Sequence, residues 1–312
     1  MFPDHVQIVL GDLDDSGLVE EETRRADIIF RTFAYATSYI ASIDGVSPDL
    51  ASTNHLKSSQ AIARAIGDKG SDSPSYWIQI SGASLFTIPE VMEGRYGESP
   101  VEVYDDVEDS QKVLSLIRNS PSRLVDNLIM AQDPSVARTA LIVAPLIYGQ
   151  GAGPVNQRSI QVPEIARATL KYGQGFRLLR GLNQWSHIHI RDLGDLFLRL
   201  AQAAVKSQPG LWNGEGIYLP GSGAMEFGEL NRCVASAAQE QGLLKSSEIE
   251  LTIDVDEANK VTSHGGVLWG TNAVFRSGRA QHTLGWEPQA PGLVDSIAEA
   301  VASEAKRLQG QQ

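Results

Sequence analysis

Four short apolar runs, at residues 6–10, 26–30, 76–80 and 139–143, are separated by segments with helical periodicity at 16–25, 54–66, 109–117 and 122–132. Regular strand–helix alternation leaves few architectures open. Parallel strands need a long crossover, usually a helix, so the pattern predicts a parallel, doubly wound α/β sheet. The 139–143 run, TALIV, suits a strand buried on both faces. It breaks at Pro145 and enters Tyr148-Gly149-Gln150-Gly151-Ala152-Gly153-Pro154. Three glycines in five residues let a backbone approach something closely. The carboxyl ends of such strands are where α/β proteins place ligands.

Beyond residue 156 the pattern loosens. Helices are expected at 162–172, 191–206, 227–239 and 293–308, strands at 185–190 and 216–219, an irregular stretch at 252–272 and a turn at 284–288.

Charge narrows the partners. The net charge of −12 argues against nucleic acid or an anionic membrane as a main partner, since both need a basic patch. No run of 18 apolar residues exists, and the first residues lack the basic and apolar regions of a secretory signal. The single cysteine, Cys233, excludes an intrachain disulfide and suits a reducing compartment, so a cytoplasmic location is expected. Its helical setting reads as a buried structural thiol. Gly-x-Ser-x-Gly, His-Glu-x-x-His and P-loop motifs are all absent, which leaves hydrolase, zinc-peptidase and NTPase readings without support.

Five stretches carry a family likeness: GDLDD at 11–15, SGAS at 81–84, APLIYGQGAGP at 144–154, SHIHIRDLGDLF at 186–197 and LGWEP at 284–288. In this order the chain resembles the extended short-chain dehydrogenases/reductases, within the NAD-dependent epimerase/dehydratase and NmrA-like group. The resemblance implies a Rossmann-like dinucleotide-binding lobe over 1–155. It implies a smaller, mainly substrate-binding lobe over 156–312, with 186–206 returning to the first. It also implies NAD(P) as cofactor, with Asp12, Leu13, Ala34 and Pro145 beside it. Ser81 or Ser84 would be the catalytic hydroxyl, with Gly82 also open as that position, and Tyr148 and Asn156 would lie beside the substrate.

Two departures from the family stand out. With 6–10 as the family's third strand, the family's first two βα units, ~30 residues each, are expected to be missing from this chain, including the glycine-rich turn that binds pyrophosphate. Gly149-x-Gly151-x-Gly153 follows a strand, but Pro154 and a long gap separate it from the next helix. A sheet shortened in this way exposes a parallel edge that a second copy of the chain would cover. The family's Tyr-x-x-x-Lys pair is also absent; Ser122 takes the tyrosine position and Asp126 the lysine position. A serine with an aspartate cannot perform the same proton transfer at neutral pH.

Each candidate has a plainer reading. Asp12 is an adenine contact or a turn or capping residue, and Ser81 and Ser84 are functional or local turn formers. Tyr148 is a ligand donor or a packed ring with its hydroxyl at the surface. Arg123 binds an anion, balances Asp126, or sits on a solvated helix face. His187 and His189 share a strand face, and structural hydrogen bonding is favoured over a metal site. Asp192 reads as an N-cap first and an interlobe contact second. The 102–109 segment reads as a solvated acidic loop. The leading expectation is an NAD(P)-dependent epimerase or reductase acting on a small carbonyl or hydroxyl metabolite. The rivals are a cofactor-independent isomerase or cyclase and a non-catalytic NmrA-like sensor.

Overall fold

The computed structural model describes residues 7, 9–31, 55–70, 74–153 and 157–310. The first part runs α1 (Ser16–Arg25), β1 (Ile28–Arg31), α2 (Leu56–Lys69), β2 (Ser75–Gly82), α3 (Ile88–Glu93), β3 (Tyr104–Asp105), α4 (Ser110–Arg118), α5 (Leu124–Met130), β4 (Ala137–Ala144) and β5 (Leu146–Tyr148). The second part runs α6 (Gln161–Tyr172), β6 (Gly175–Leu178), β7 (Gln184–His189), α7 (Ile190–Val205), β8 (Ile217–Tyr218), β9 (Gly223–Glu226), α8 (Phe227–Glu240), β10 (Ile249–Ile253), α9 (Val255–Val261), α10 (Gly265–Gly270), β11 (Phe275–Arg276), α11 (Arg279–Leu284) and α12 (Leu293–Gln309).

The main sheet is parallel in the order β1-β2-β4-β8. This is the doubly wound α/β architecture that the alternation demands. Both faces of the two central strands are covered, which explains their near-continuous apolar sequence. On one face Trp77, Leu141 and Val143 pack with Ile62, Ile66, Val113, Ile117, Val125 and Ile129 of α2, α4 and α5. On the other, Tyr76, Ile78, Ile80 and Ile142 meet Leu193, Leu196 and Leu200 of α7. Side chains alternate along a strand. Ser81 therefore faces α5, and Ile80 faces α7.

The smaller sheets are β5-β7-β9, β10-β6 and β11-β3; in the first and last of these a short strand of the first part, β5 or β3, pairs with a strand of the second. The turn after α11 is docked onto α7. Trp286 is fully buried and donates its indole N–H to the Asp192 carbonyl at 3.0 Å. Gln289 and Ala290 donate backbone N–H groups to Asp192 Oδ1 at 2.9 and 3.1 Å. The N-cap of α7 is His189, whose Nδ1 accepts from the Arg191 N–H at 3.0 Å, so Asp192 is not the cap and instead fastens the 286–290 turn to α7.

Several expectations change. Among the described residues, Gln7, Val9 and Leu10 of the expected 6–10 strand lie in no strand, and the sheet's edge is β1. Leu10 is 89% exposed, so it gains no burial from an extended backbone. The 252–272 stretch is ordered as the end of β10 with α9 and α10. The acidic segment at 102–109 is not all solvated. Asp106 is buried and accepts backbone N–H groups from Leu219, Gly278 and Arg279 at 3.0, 2.8 and 2.8 Å. Cys233 is half-buried rather than enclosed. Among the described residues no helix is long and apolar enough to cross a membrane.

Candidate functional site

A cavity of about 700 Å³ opens at the carboxyl ends of β2 and β4. That is where a parallel sheet presents the backbone of its loops to a ligand, and the volume suits a small organic molecule. Gly82, Ala83 and Ser84 line it from the end of β2, and Ala144, Pro145 and Ile147 from β4 and β5. Ile190, Leu193 and Phe197 of α7 form an apolar wall, and Gln157, Arg158 and Gln161 come from the segment leading into α6. Gly149 also lines it, at φ +85, where an added Cβ would lie 2.4 Å from His189 Nε2. Only glycine satisfies both the left-handed backbone and that approach.

A polar cluster stands at one side. The Ser81 hydroxyl donates to Asp126 Oδ2 at 2.8 Å, and both residues are buried behind the cavity wall. Arg123 Nη2 donates to Ser84 Oγ at 2.8 Å, and Arg123 Nη1 is 3.7 Å from Asp126 Oδ2. Ser84 and Arg123 are the members that line the cavity. Burial pushes the Asp126 carboxyl above the usual aspartate range, against the pull of Arg123 and the Ser81 hydrogen bond. Burial also holds the Arg123 guanidinium below its usual value, against Asp126.

The expected site residues therefore divide. Ser84 and Pro145 line the cavity, while Ser81 and Asp126 support it from behind. Ser122 is exposed and lines nothing. The chain turns at residues 121–122, so the next residue, Arg123, enters the cleft in its place. The solvated-face reading of Arg123 is corrected accordingly.

Tyr148 does not line this cavity. Its ring is buried edge-on against His187 and His189, and its hydroxyl donates to the Pro291 carbonyl at 2.9 Å. Its hydroxyl is thus used within the fold in this structure. Asp12 and Leu13 are not among the described residues that line the cavity. Asp12 Oδ1 accepts the Asp14 N–H at 2.9 Å in a local turn, and Asp15 caps α1. Ala34 and Asn156 lie outside the described residues. Among the described residues no group of three His, Cys, Asp or Glu side chains is placed to hold a metal.

Sequence reasoning missed Arg158 and Gln161. Arg158 donates to both oxygens of Glu304 at 2.7 and 3.0 Å and pairs with Glu164 at 2.7 Å. Nothing local to residue 158 signals a partner 146 positions away.

A nicotinamide dinucleotide fits this site in one part. The small-residue floor of Gly82, Ala83, Ala144 and Pro145 accommodates a flat ring, and a Cβ on Gly82 would meet only Ser84 Oγ, at 3.6 Å. A glycine-rich turn leading from a strand into a helix, the usual pyrophosphate cradle, is not found among the described residues.

No family model matches the chain. It is 31% identical to the oxidase ucsJ of an Acremonium species over 314 residues, which covers 97% of this chain and 85% of that protein. Among solved structures it is similar to the dTDP-glucose 4,6-dehydratase DesIV of Streptomyces venezuelae, solved with NAD (TM-score 0.62, 16% identity, 99% of this chain and 82% of that one). It is also similar to the UDP-glucose 4-epimerase of Thermus thermophilus in complex with NAD (TM-score 0.59, 18% identity, 97% and 86%). With a relative at this level of identity and coverage, the chain belongs to the family of the oxidase ucsJ, and its parallel sheet and strand-end cavity sit in the Rossmann-type fold of the NAD-dependent epimerase and dehydratase structures.

Proposed function

We propose that this chain is an oxidoreductase-type enzyme acting on a small, mainly apolar carbonyl or hydroxyl metabolite held in the interlobe cavity. The observation that carries this reading is the Arg123–Ser84 hydrogen bond of 2.8 Å at the end of β2, facing a largely apolar cavity. Ser84 Oγ accepts from Arg123, which leaves its own O–H to donate to a substrate oxygen. The guanidinium behind it stabilises negative charge as that charge develops. Donors fixed in advance in a water-poor site act more strongly than they would in water. Ser81 and Asp126 hold Arg123 in place and keep its charge compensated. A nicotinamide dinucleotide, when bound, supplies or accepts a hydride.

The deciding experiment is calorimetric titration of the purified protein with NADH and NADPH. Micromolar binding of either supports the reading. Absence of both sinks it and favours a cofactor-independent isomerase or cyclase. That rival is supported by the missing Tyr-x-x-x-Lys pair and by the lack of a pyrophosphate cradle among the described residues. Binding without turnover of any carbonyl or hydroxyl compound in a broad panel indicates a sensor.

A further inference from the structure

Arg123 is 9% exposed, so it is a cation nine-tenths removed from water. A guanidinium carries five N–H donors in a planar fork. Among the described residues its partners are Ser84 Oγ at 2.8 Å and, at ion-pair distance only, Asp126 Oδ2 at 3.7 Å. That carboxylate oxygen already takes the Ser81 hydroxyl at 2.8 Å. The arginine thus lines the cavity with donor capacity that its neighbours do not use. A buried polar group with unused donors is costly unless something else supplies the acceptors.

The rest of the wall indicates what that something is. Phe30, Ile147, Trp185, Ile190, Phe197 and Leu268 make the cavity mainly apolar. The second arginine at the cavity, Arg158, is already engaged by Glu304 and Glu164. An apolar chamber with one under-used guanidinium matches a molecule with an apolar body and a single planar anion. Carboxylate matches the arginine fork in two parallel hydrogen bonds.

We propose that the metabolite held in this cavity is an apolar carboxylic acid, anchored through its carboxylate by Arg123. The proposal rests on the cavity being the substrate site, as inferred above, but not on any cofactor being bound. Arg123 then fixes one end of the molecule, and Ser84 is placed to meet an oxygen beside it.

The test is calorimetry on the full chain with decanoate, decanamide and inorganic pyrophosphate, in the absence of dinucleotide. Decanoate is expected to bind at least tenfold more tightly than decanamide, and pyrophosphate is expected not to displace it. Arg123→Met should abolish the tenfold preference while keeping decanamide binding, which also reports that the cavity is intact. Arg123→Lys should retain part of the preference. Equal binding of acid and amide to the unaltered chain, binding of neither, or displacement by pyrophosphate would each overturn the proposal without any variant being needed. A carboxylate preference in a protein that ignores NADH and NADPH keeps the anchor and removes the oxidoreductase reading; dinucleotide binding without the preference does the reverse.

Discussion

Ser81 Oγ and Asp126 Oδ2 are 2.8 Å apart across 45 residues of sequence, joining the end of the central strand β2 to helix α5. The carboxylate is buried and is the only acidic group paired with Arg123 among the described residues. Replacing Asp126 with Ala leaves a buried cation uncompensated, and removing one partner of such a pair costs about 3–5 kcal/mol. Asp126→Ala is expected to lose stability on that scale in urea unfolding, whereas Ser81→Ala loses about 1 kcal/mol. Equal, small effects of both would show that Asp126 does not hold the cluster.

Ser84 reaches the cavity, so its hydroxyl is expected to matter for turnover more than for folding. Once a substrate is identified, Ser84→Ala should lower kcat by about 100-fold, the scale of losing one preorganised oxyanion donor. Its unfolding midpoint should stay close to that of the unaltered protein. A kcat within twofold of normal would remove Ser84 from the chemistry.

Tyr148 is expected to behave in the opposite way. Its hydroxyl serves the Pro291 carbonyl, so Tyr148→Phe removes one partly buried hydrogen bond. A loss of about 1 kcal/mol in stability is expected, with kcat and KM unchanged. A large rise in KM would restore the tyrosine to the substrate.

The two strand histidines give a pH signature. Burial lowers the His187 pKa, and burial followed by the nearby Arg191 charge lowers that of His189. The folded state then binds fewer protons than the unfolded chain just below the ordinary histidine value of about 6.5. The stability contributed by the neutral rings is fully present above that value. It is lost as pH falls from about 6.5 through the lowered folded values. A His187→Asn/His189→Asn double variant, in which Asn keeps the helix cap, should show a flatter decline in unfolding midpoint over that range. Parallel declines would place the pH sensitivity elsewhere.

The sheet was legible because its central strands are covered on both faces and are written as unbroken apolar runs, as in 139–143 against β4. Gln7, Val9 and Leu10, the described residues of the similar 6–10 run, lie in no strand, since a strand is defined by its neighbours. At the start of α5 the pattern misleads. Leu124 is 55% exposed while Arg123 is buried, the reverse of what apolar periodicity suggests. The cleft recruits the polar residue at the helix entry, and periodicity carries no information about a cleft. The serines at 81 and 84 were recognisable as a strand end. Which of them faces the ligand depends on strand parity and the following turn, and only coordinates fix that. β6 is four residues long and contains a glycine, too short a run to stand out.

Arg158 draws a last consequence from the far end of the chain. Arg158 lines the cavity, but a carboxylate that grips its guanidinium, Glu304, belongs to α12, none of whose residues lines the cavity. The C-terminal helix therefore shares, with Glu164 of α6, in balancing the charge of a residue in a wall it does not itself form. A chain cut short of residue 304 would keep every wall of the cavity and deprive Arg158 of this carboxylate. Its appetite for anions would then change, although no residue in the chamber had been replaced.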